Sequence, residues 1–183
     1  GMKPVGVLDK FSEGLETYSR NFLEVGEKNI VKEDAGKKQT LEKFRSSTGL
    51  KKGDVDVIIG GPPCQGFSNV GRIKARDLVR RGIRRSRSDD PRFITDPRNE
   101  LYKAFVRFVE YYKPRFLVME NVQGMISYRN GWAISQIKED LFHAGYNIDS
   151  KILNASDYGV PQHRKRIFFV GSLNQKEILV HLL

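Results

Sequence analysis

An α/β fold, a Rossmann-like sheet with crossover helices, is predicted for this 183-residue chain by three observations. Short apolar runs rich in β-branched residues recur along it, stretches of helical spacing separate them, and Gly and Pro punctuate the junctions. Leu15 to Phe22 reads as the first helix. Asp56 to Gly60 has the length and composition of a strand buried on both faces, and Gly60-Gly61-Pro62-Pro63 forbids its continuation. Asn99 to Tyr112 places Leu101, Phe105, Phe108 and Val109 on one helical face before Lys113-Pro114 ends it. Phe116 to Glu120 is a strand. Gly131 to Ala144 is a helix stopped by Gly145, with Trp132, Ile134, Ile137, Leu141 and Phe142 assigned to the core. Strands over Asn147 to Asn154 and Ile167 to Gly171 complete the alternation.

Cys64 is the sole cysteine, and it follows the Asp56 to Gly60 strand directly, in Pro62-Pro63-Cys64-Gln65-Gly66-Phe67. In open α/β sheets, ligands bind beyond the carboxyl ends of the strands, so this thiol stands where a site is expected. Buried cysteines are commonly inert, but here Pro and Gly surround the thiol where a core residue would have apolar neighbours. The Phe116 strand ends likewise in polar groups, Glu120-Asn121-Val122, and Gln162-His163-Arg164-Lys165-Arg166 leads into the last strand.

These three blocks, in this order, resemble the C5 DNA cytosine methyltransferases, whose Pro-Cys-Gln loop, Glu-Asn-Val strand end and Gln-x-Arg-x-Arg segment are all matched. The resemblance covers roughly residues 5 to 172. It implies an S-adenosylmethionine-dependent methyltransferase sheet in which Cys64 adds as thiolate to carbon 6 of cytosine and makes carbon 5 an enamine carbon. A free thiol, with a pKa of about 8.5, needs a cationic or hydrogen-bonding setting for that role. Glu120 matches the group that neutralises charge at ring nitrogen 3, and its place at the end of an apolar strand would raise its pKa toward the protonated form. Arg164 and Arg166 match the residues that hold the base carbonyl oxygen and order the loop.

Charge supports a polyanion as partner. Lys and Arg total 32 against 22 acidic residues, a net charge of +10. Between Gly71 and Phe93, nine cations face three anions, a net +6 that includes Arg80, Arg81, Arg84 and Arg85. The resemblance places residues 71–93 in a mobile loop over the flipped base, with Gln65, Ser68 and these arginines toward double-stranded DNA and Arg98 at the loop's close. A solvated basic surface is the plain alternative for that stretch. The chain reads as one domain spanning residues 1–183. A single cysteine excludes a disulfide framework and fits an intracellular, cytoplasmic protein, nucleoid-associated if the source is prokaryotic. No apolar run is long enough for a membrane span, His143, His163 and His181 lack metal-ligand spacing, and a monomer without metal is expected.

The amino end departs from the family pattern. Val5-Gly6-Val7-Leu8-Asp9 resembles the family's first strand, yet from Asp9 the chain resembles the end of its second strand and the helix that follows. A Gly-rich cofactor turn is missing between them, and in the strand-two alignment Val7 takes the place of the ribose carboxylate. The remaining matches to S-adenosylmethionine contacts are Asp9, Asp34, Pro63 and Leu101, with Asp34 at the adenine amino group and Leu101 against the ring. After Gly171 only twelve residues remain, so a target-recognition domain is also expected to be absent and the sheet truncated at both ends. Two other readings stand beside a DNA methyltransferase: a family member acting on transfer RNA, and a noncatalytic nucleic-acid-binding remnant. Gly66 and Ser68 favour the DNA branch.

Overall fold

Exposure alternates along Phe116–Val122, with Leu117, Met119 and Asn121 buried and their neighbours half-buried. That period of two belongs to a pleated strand pressed against a core on one face. The computed structural model describes residues 1–63, 101–126 and 131–173. Within them the elements run β1 (Val7–Asp9), α1 (Ser12–Asn21), β2 (Ile30–Lys32), α2 (Thr40–Thr48), β3 (Val57–Gly60), α3 (Tyr102–Tyr112), β4 (Phe116–Val122), α4 (Trp132–His143), β5 (Tyr146–Asn154) and β6 (Lys165–Leu173).

Four strands form one sheet in the order β3-β4-β6-β5. β3 lies parallel to β4, from Val57 opposite Phe116 to Gly60 opposite Met119. β6 is antiparallel to β4 and to β5, so a mixed sheet results. β1 and β2 pair in parallel as a separate two-stranded sheet. The α/β class and the crossover helices agree with the sequence reading. The sheet, however, is in two pieces among the described residues, each of β1 and β3 being paired on one side.

α3 carries Tyr102, Phe105, Val106, Val109 and Tyr112 toward the interior, the stripe of a helix with one buried face. It stops at Lys113, whose φ of 49° is left-handed, immediately before Pro114. α4 buries Ala133, Ile137 and Leu141. Together with Leu117, Met119, Ile167 and Phe169 of the sheet these residues make the main core. Trp132 and Phe142, expected in that core, are 49% and 65% exposed. Each is adjacent in sequence to a stripe residue, and one helical position turns a side chain by about 100°.

A second core of Val31, Phe44 and Tyr112, flanked by Leu8, Leu50, Ile58 and Phe108, joins the small sheet and α2 to α3 and β3. Neither β2 nor α2 is legible in the sequence. β2 has three residues, and two of the three buried positions of α2 are threonines. Thr48 offsets its burial by donating its hydroxyl to the Phe44 carbonyl at 2.8 Å. Two glycines set how closely the layers approach. A Cβ on Gly60 would come within 2.6 Å of the Phe105 ring, and one on Gly171 within 2.7 Å of Leu117 Cγ.

Tyr146 closes the far end of this packing. It is 1% exposed and donates its hydroxyl to the Pro114 carbonyl at 2.7 Å. Burial pushes its phenol up to about 12. The neutral, protonated form is the one favoured by folding, so this contribution is intact below the unfolded value of about 10 and is lost as pH climbs toward the folded one. Tyr146→Phe should therefore lessen the alkaline loss of stability between about pH 10 and 12. At neutral pH it should cost about 1 kcal/mol through the unpaired Pro114 carbonyl. Thermal unfolding followed by circular dichroism across that range checks both signs.

Candidate active site

The carboxyl ends of β3 and β4 lie side by side because the two strands are parallel and in register. Gly60 is required where Phe105 crosses the end of β3. The next residue, Gly61, stands beside Glu120, whose Oε2 would lie 3.5 Å from a Cβ there. Pro62 and Pro63 lack amide hydrogens and end the ladder. Asn121 is 3% exposed, and its Nδ2 donates to the Pro62 carbonyl at 3.2 Å while its Oδ1 accepts the Val122 amide at 2.8 Å.

β6 supplies the other half. Register places Arg166 opposite Val122 and Phe168 opposite Glu120, so Arg166 and Glu120 share a face and meet diagonally across the strand pair. Arg166 Nε donates to Glu120 Oε1 at 2.9 Å, with the side chains 24% and 36% exposed. This face is turned away from the α3 and α4 core, and Ile59, on the same side of the sheet, is 68% exposed. The apolar enclosure expected for Glu120 is therefore not its setting: it is a partly exposed ion pair at the end of an apolar strand. Arg164 lies two residues before Arg166, is exposed, and accepts the Ala155 amide on its backbone carbonyl at 3.1 Å.

A second cluster gathers at the ends of β1 and β2. Asp9 Oδ1 accepts the Phe11 amide at 3.0 Å, and the Asp9 carbonyl accepts the Glu33 amide at 3.0 Å. Asp34 folds its Oδ1 onto the Gly36 amide at 2.9 Å, and its carbonyl takes the Thr40 hydroxyl at 2.6 Å. Leu101 closes on Gly36 so tightly that a Cβ there would lie 2.8 Å from Leu101 Cδ2. Arg107 fastens α3 to the same turn through the Ala35 carbonyl at 2.9 Å. The neighbouring Glu33 is bound by Lys43 and Lys37, and the Lys43 hydrogen bond holds its carboxyl below the ordinary range.

The structure thus brings together Glu120 with Arg166, and Asp34 with Leu101, each pair distant in sequence. Pro63 is exposed beyond the end of β3, and Val7 lies in β1 opposite Ile30. Cys64, Gln65, Ser68, Arg80, Arg81, Arg84, Arg85 and Arg98 lie outside the described residues. The sequence reading gave Asn121 no role, although its place in Glu120-Asn121-Val122 was the available signal. Among the described residues there is no group of three or more metal-ligating side chains, and no helix is long and apolar enough to cross a membrane.

A model of the C-5 cytosine-specific DNA methylase family matches residues 1–182. A Type II methyltransferase of Haemophilus parahaemolyticus is 37% identical over 163 residues, covering 89% of this chain and 38% of that protein. One of Desulfomicrobium norvegicum is 36% identical over 186 residues, covering 100% of this chain and 38% of its own. Among solved structures, a DNA modification methyltransferase encoded within an E. coli prophage is similar with a TM-score of 0.61 at 28% identity, over 91% of this chain and 39% of that one. An Entamoeba histolytica methyltransferase shares the fold with a TM-score of 0.61 at 20% identity, over 94% and 46%. The chain spans about two fifths of the length of these two curated relatives, 38% in each case.

An ion pair this open to solvent contributes little to folding. In urea unfolding, a double-mutant cycle of Glu120→Gln and Arg166→Ala should return a coupling of about 0.2–1 kcal/mol. A coupling above about 3 kcal/mol would make the pair a structural tie of the buried kind.

Proposed function

We propose that this chain, which belongs to the C-5 cytosine-specific DNA methylase family, is the catalytic part of a DNA cytosine C5 methyltransferase. One observation carries the reading. Glu120, ion-paired with Arg166, stands against Gly61 on the very strand exit that reaches Cys64 three residues later. Acid and guanidinium fork thus stand together at the carboxyl ends of the strands, where ligands of open α/β sheets bind.

The chemistry follows from what each group offers. Cys64 as thiolate forms a bond to carbon 6 of a cytosine turned out of the duplex. The electron pair displaced from the 5,6 double bond makes carbon 5 nucleophilic, and a proton delivered to ring nitrogen 3 by way of the Glu120 carboxyl neutralises the charge gathering there. Arg166, with Arg164 beside it, donates to the base carbonyl oxygen through a planar fork suited to such an acceptor. After carbon 5 has gained its methyl group, water takes the carbon 5 proton, the C–H electron pair re-forms the 5,6 double bond, and Cys64 leaves as thiolate.

S-adenosylmethionine, when bound, supplies the electrophilic methyl group. The described residues fit its adenine end: Asp34 keeps an acceptor oxygen beyond the one bonded to Gly36, and Leu101 provides an apolar wall beside it. Asp9 stands at the neighbouring strand end, while Val7 offers no acceptor for a ribose. Double-stranded DNA is the proposed partner, and the arginines between Arg72 and Arg92 are the proposed phosphate contacts.

Two outcomes test the reaction in the full-length gene product. Incubation with S-adenosylmethionine and a duplex carrying 5-fluorocytosine should give a covalent protein–DNA band on a denaturing gel, absent in Cys64→Ser; a band that persists in Cys64→Ser would assign the attack elsewhere. Glu120→Gln, which has no acidic proton to give, should lose about 10²- to 10⁴-fold in methyl transfer while keeping DNA affinity. Tritium incorporation into duplex DNA, with transfer RNA as a parallel substrate, measures that loss and shows which nucleic acid is used.

A further inference from the structure

Asp34 stands in a turn whose consecutive peptide groups are tied to three different elements. The Glu33 amide donates to the Asp9 carbonyl, at the end of β1, at 3.0 Å. The Asp34 carbonyl accepts the hydroxyl of Thr40, the first residue of α2, at 2.6 Å. The Ala35 carbonyl accepts Arg107 Nη2 from α3 at 2.9 Å, across 72 positions of sequence. The first two ties come from the small sheet and α2, and the third comes from the helix that begins beside Leu101. Six positions separate Leu101 from Arg107, about 9 Å along a helix. One rigid element therefore supplies both the apolar wall on Gly36 and the bond to the Ala35 carbonyl. Arg107 is half-buried, and its Nε is closed off from solvent with no hydrogen-bond partner among the described residues. A guanidinium donor is costly to bury unpaired, so an apolar side chain would be the simpler filling for this place if packing were its only purpose.

We propose that Arg107 is a positioning residue for adenine recognition. The peptide group between Ala35 and Gly36 is held at both edges, its carbonyl by Arg107 and its N–H by Oδ1 of Asp34. Because that group is planar, the guanidinium fixes the plane and the plane fixes the carboxylate. With Oδ1 engaged, Oδ2 is the acceptor left for an exocyclic amino group. α3 thus carries the wall at Leu101 and, through one peptide, aligns the acceptor with it. A carboxylate accepts from an amino group and repels a carbonyl oxygen, so an aligned Asp34 separates adenine from hypoxanthine. Without Arg107 the turn keeps its bonds to Asp9 and Thr40 but loses the one that sets it against α3. This inference rests on the proposed use of S-adenosylmethionine, and Arg107 touches neither cofactor nor substrate in it.

The test is isothermal titration calorimetry with S-adenosylhomocysteine and its inosine counterpart, S-inosylhomocysteine, on the full-length gene product and its Arg107→Met, Arg107→Gln and Arg107→Lys variants. The parent is expected to prefer the adenine ligand by about tenfold or more, the worth of a hydrogen bond to a charged group. Arg107→Met, which has no donor, and Arg107→Gln, which is too short, should lower that preference to about threefold or less, and Arg107→Lys, with one donor on a stem of similar reach, should restore most of it. A purely structural role would move different readouts: the thermal midpoint and the binding stoichiometry would fall, while the ratio of the two affinities on one preparation stayed that of the parent. An unchanged ratio in Arg107→Met or Arg107→Gln, from a parent that discriminates, overturns this inference and leaves the proposed reaction standing. Failure of both variants to fold does the same, because it makes Arg107 a tie of the core. A parent that binds the two ligands alike overturns the role of Asp34 and this inference with it, and a parent that binds neither overturns the proposed cofactor as well.

Discussion

Strand register governs this molecule at its working end. β4 is paired on both sides, in parallel with β3 and antiparallel to β6. Because side chains alternate, a shift of one residue in either pairing would turn Glu120 into the α3 and α4 core and Asn121 out of it. The buried side of β4, Leu117, Met119 and Asn121, holds the register in place through packing. The opposite side, freed from that task, carries the carboxylate. Packing on one face thus fixes the chemistry on the other.

Close approach of the layers is the second condition. The Phe105 ring lies over Gly60, and Leu117 with Ile148 fills the space over Gly171, so the helices and strands meet at distances a side chain would prevent. Around this contact, side chains of α3 and its C-terminal cap tie it to α4 and the turn after it. Lys113 Nζ reaches the Ala144 carbonyl at 2.7 Å, and Tyr102 joins α3 to Asp140 of α4 at 2.7 Å. These bonds join segments far apart in sequence and fix α3, whose first residues border both the Gly36 turn and the end of β3. The two clusters of candidate residues are consequently held by the same helix.

How much of this was readable beforehand depended on the length and composition of each element. β4, β6 and α3 announce themselves through runs of apolar residues longer than a turn. β2 and α2 do not, since Ile30–Lys32 is three residues long and α2 buries Thr40 and Thr48, which a hydrophobic pattern overlooks. Trp132 and Phe142 were misplaced for the opposite reason: large apolar side chains suggest a core wherever they occur, but the facing stripe of α4 is set by Ala133, Ile137 and Leu141. The environment of Glu120 was misjudged in the same way, because an apolar strand says nothing about which of its faces is covered.

The sequence by itself determined the class of fold, the places of the longer strands and helices, and the local chemistry of each block. Those properties depend on neighbours within a few positions: a Gly-Gly-Pro-Pro that must end a strand, a lone thiol after it, an acid and an amide closing another. Which blocks meet was decided only by tertiary structure. The Arg166 bond to Glu120 exists because β6 turns back antiparallel along β4, and the Asn121 bond to Pro62 because β3 lies parallel on its other side. Pairing partner and register follow from the packing of whole layers, and a short motif carries no information about the strand that will lie beside it.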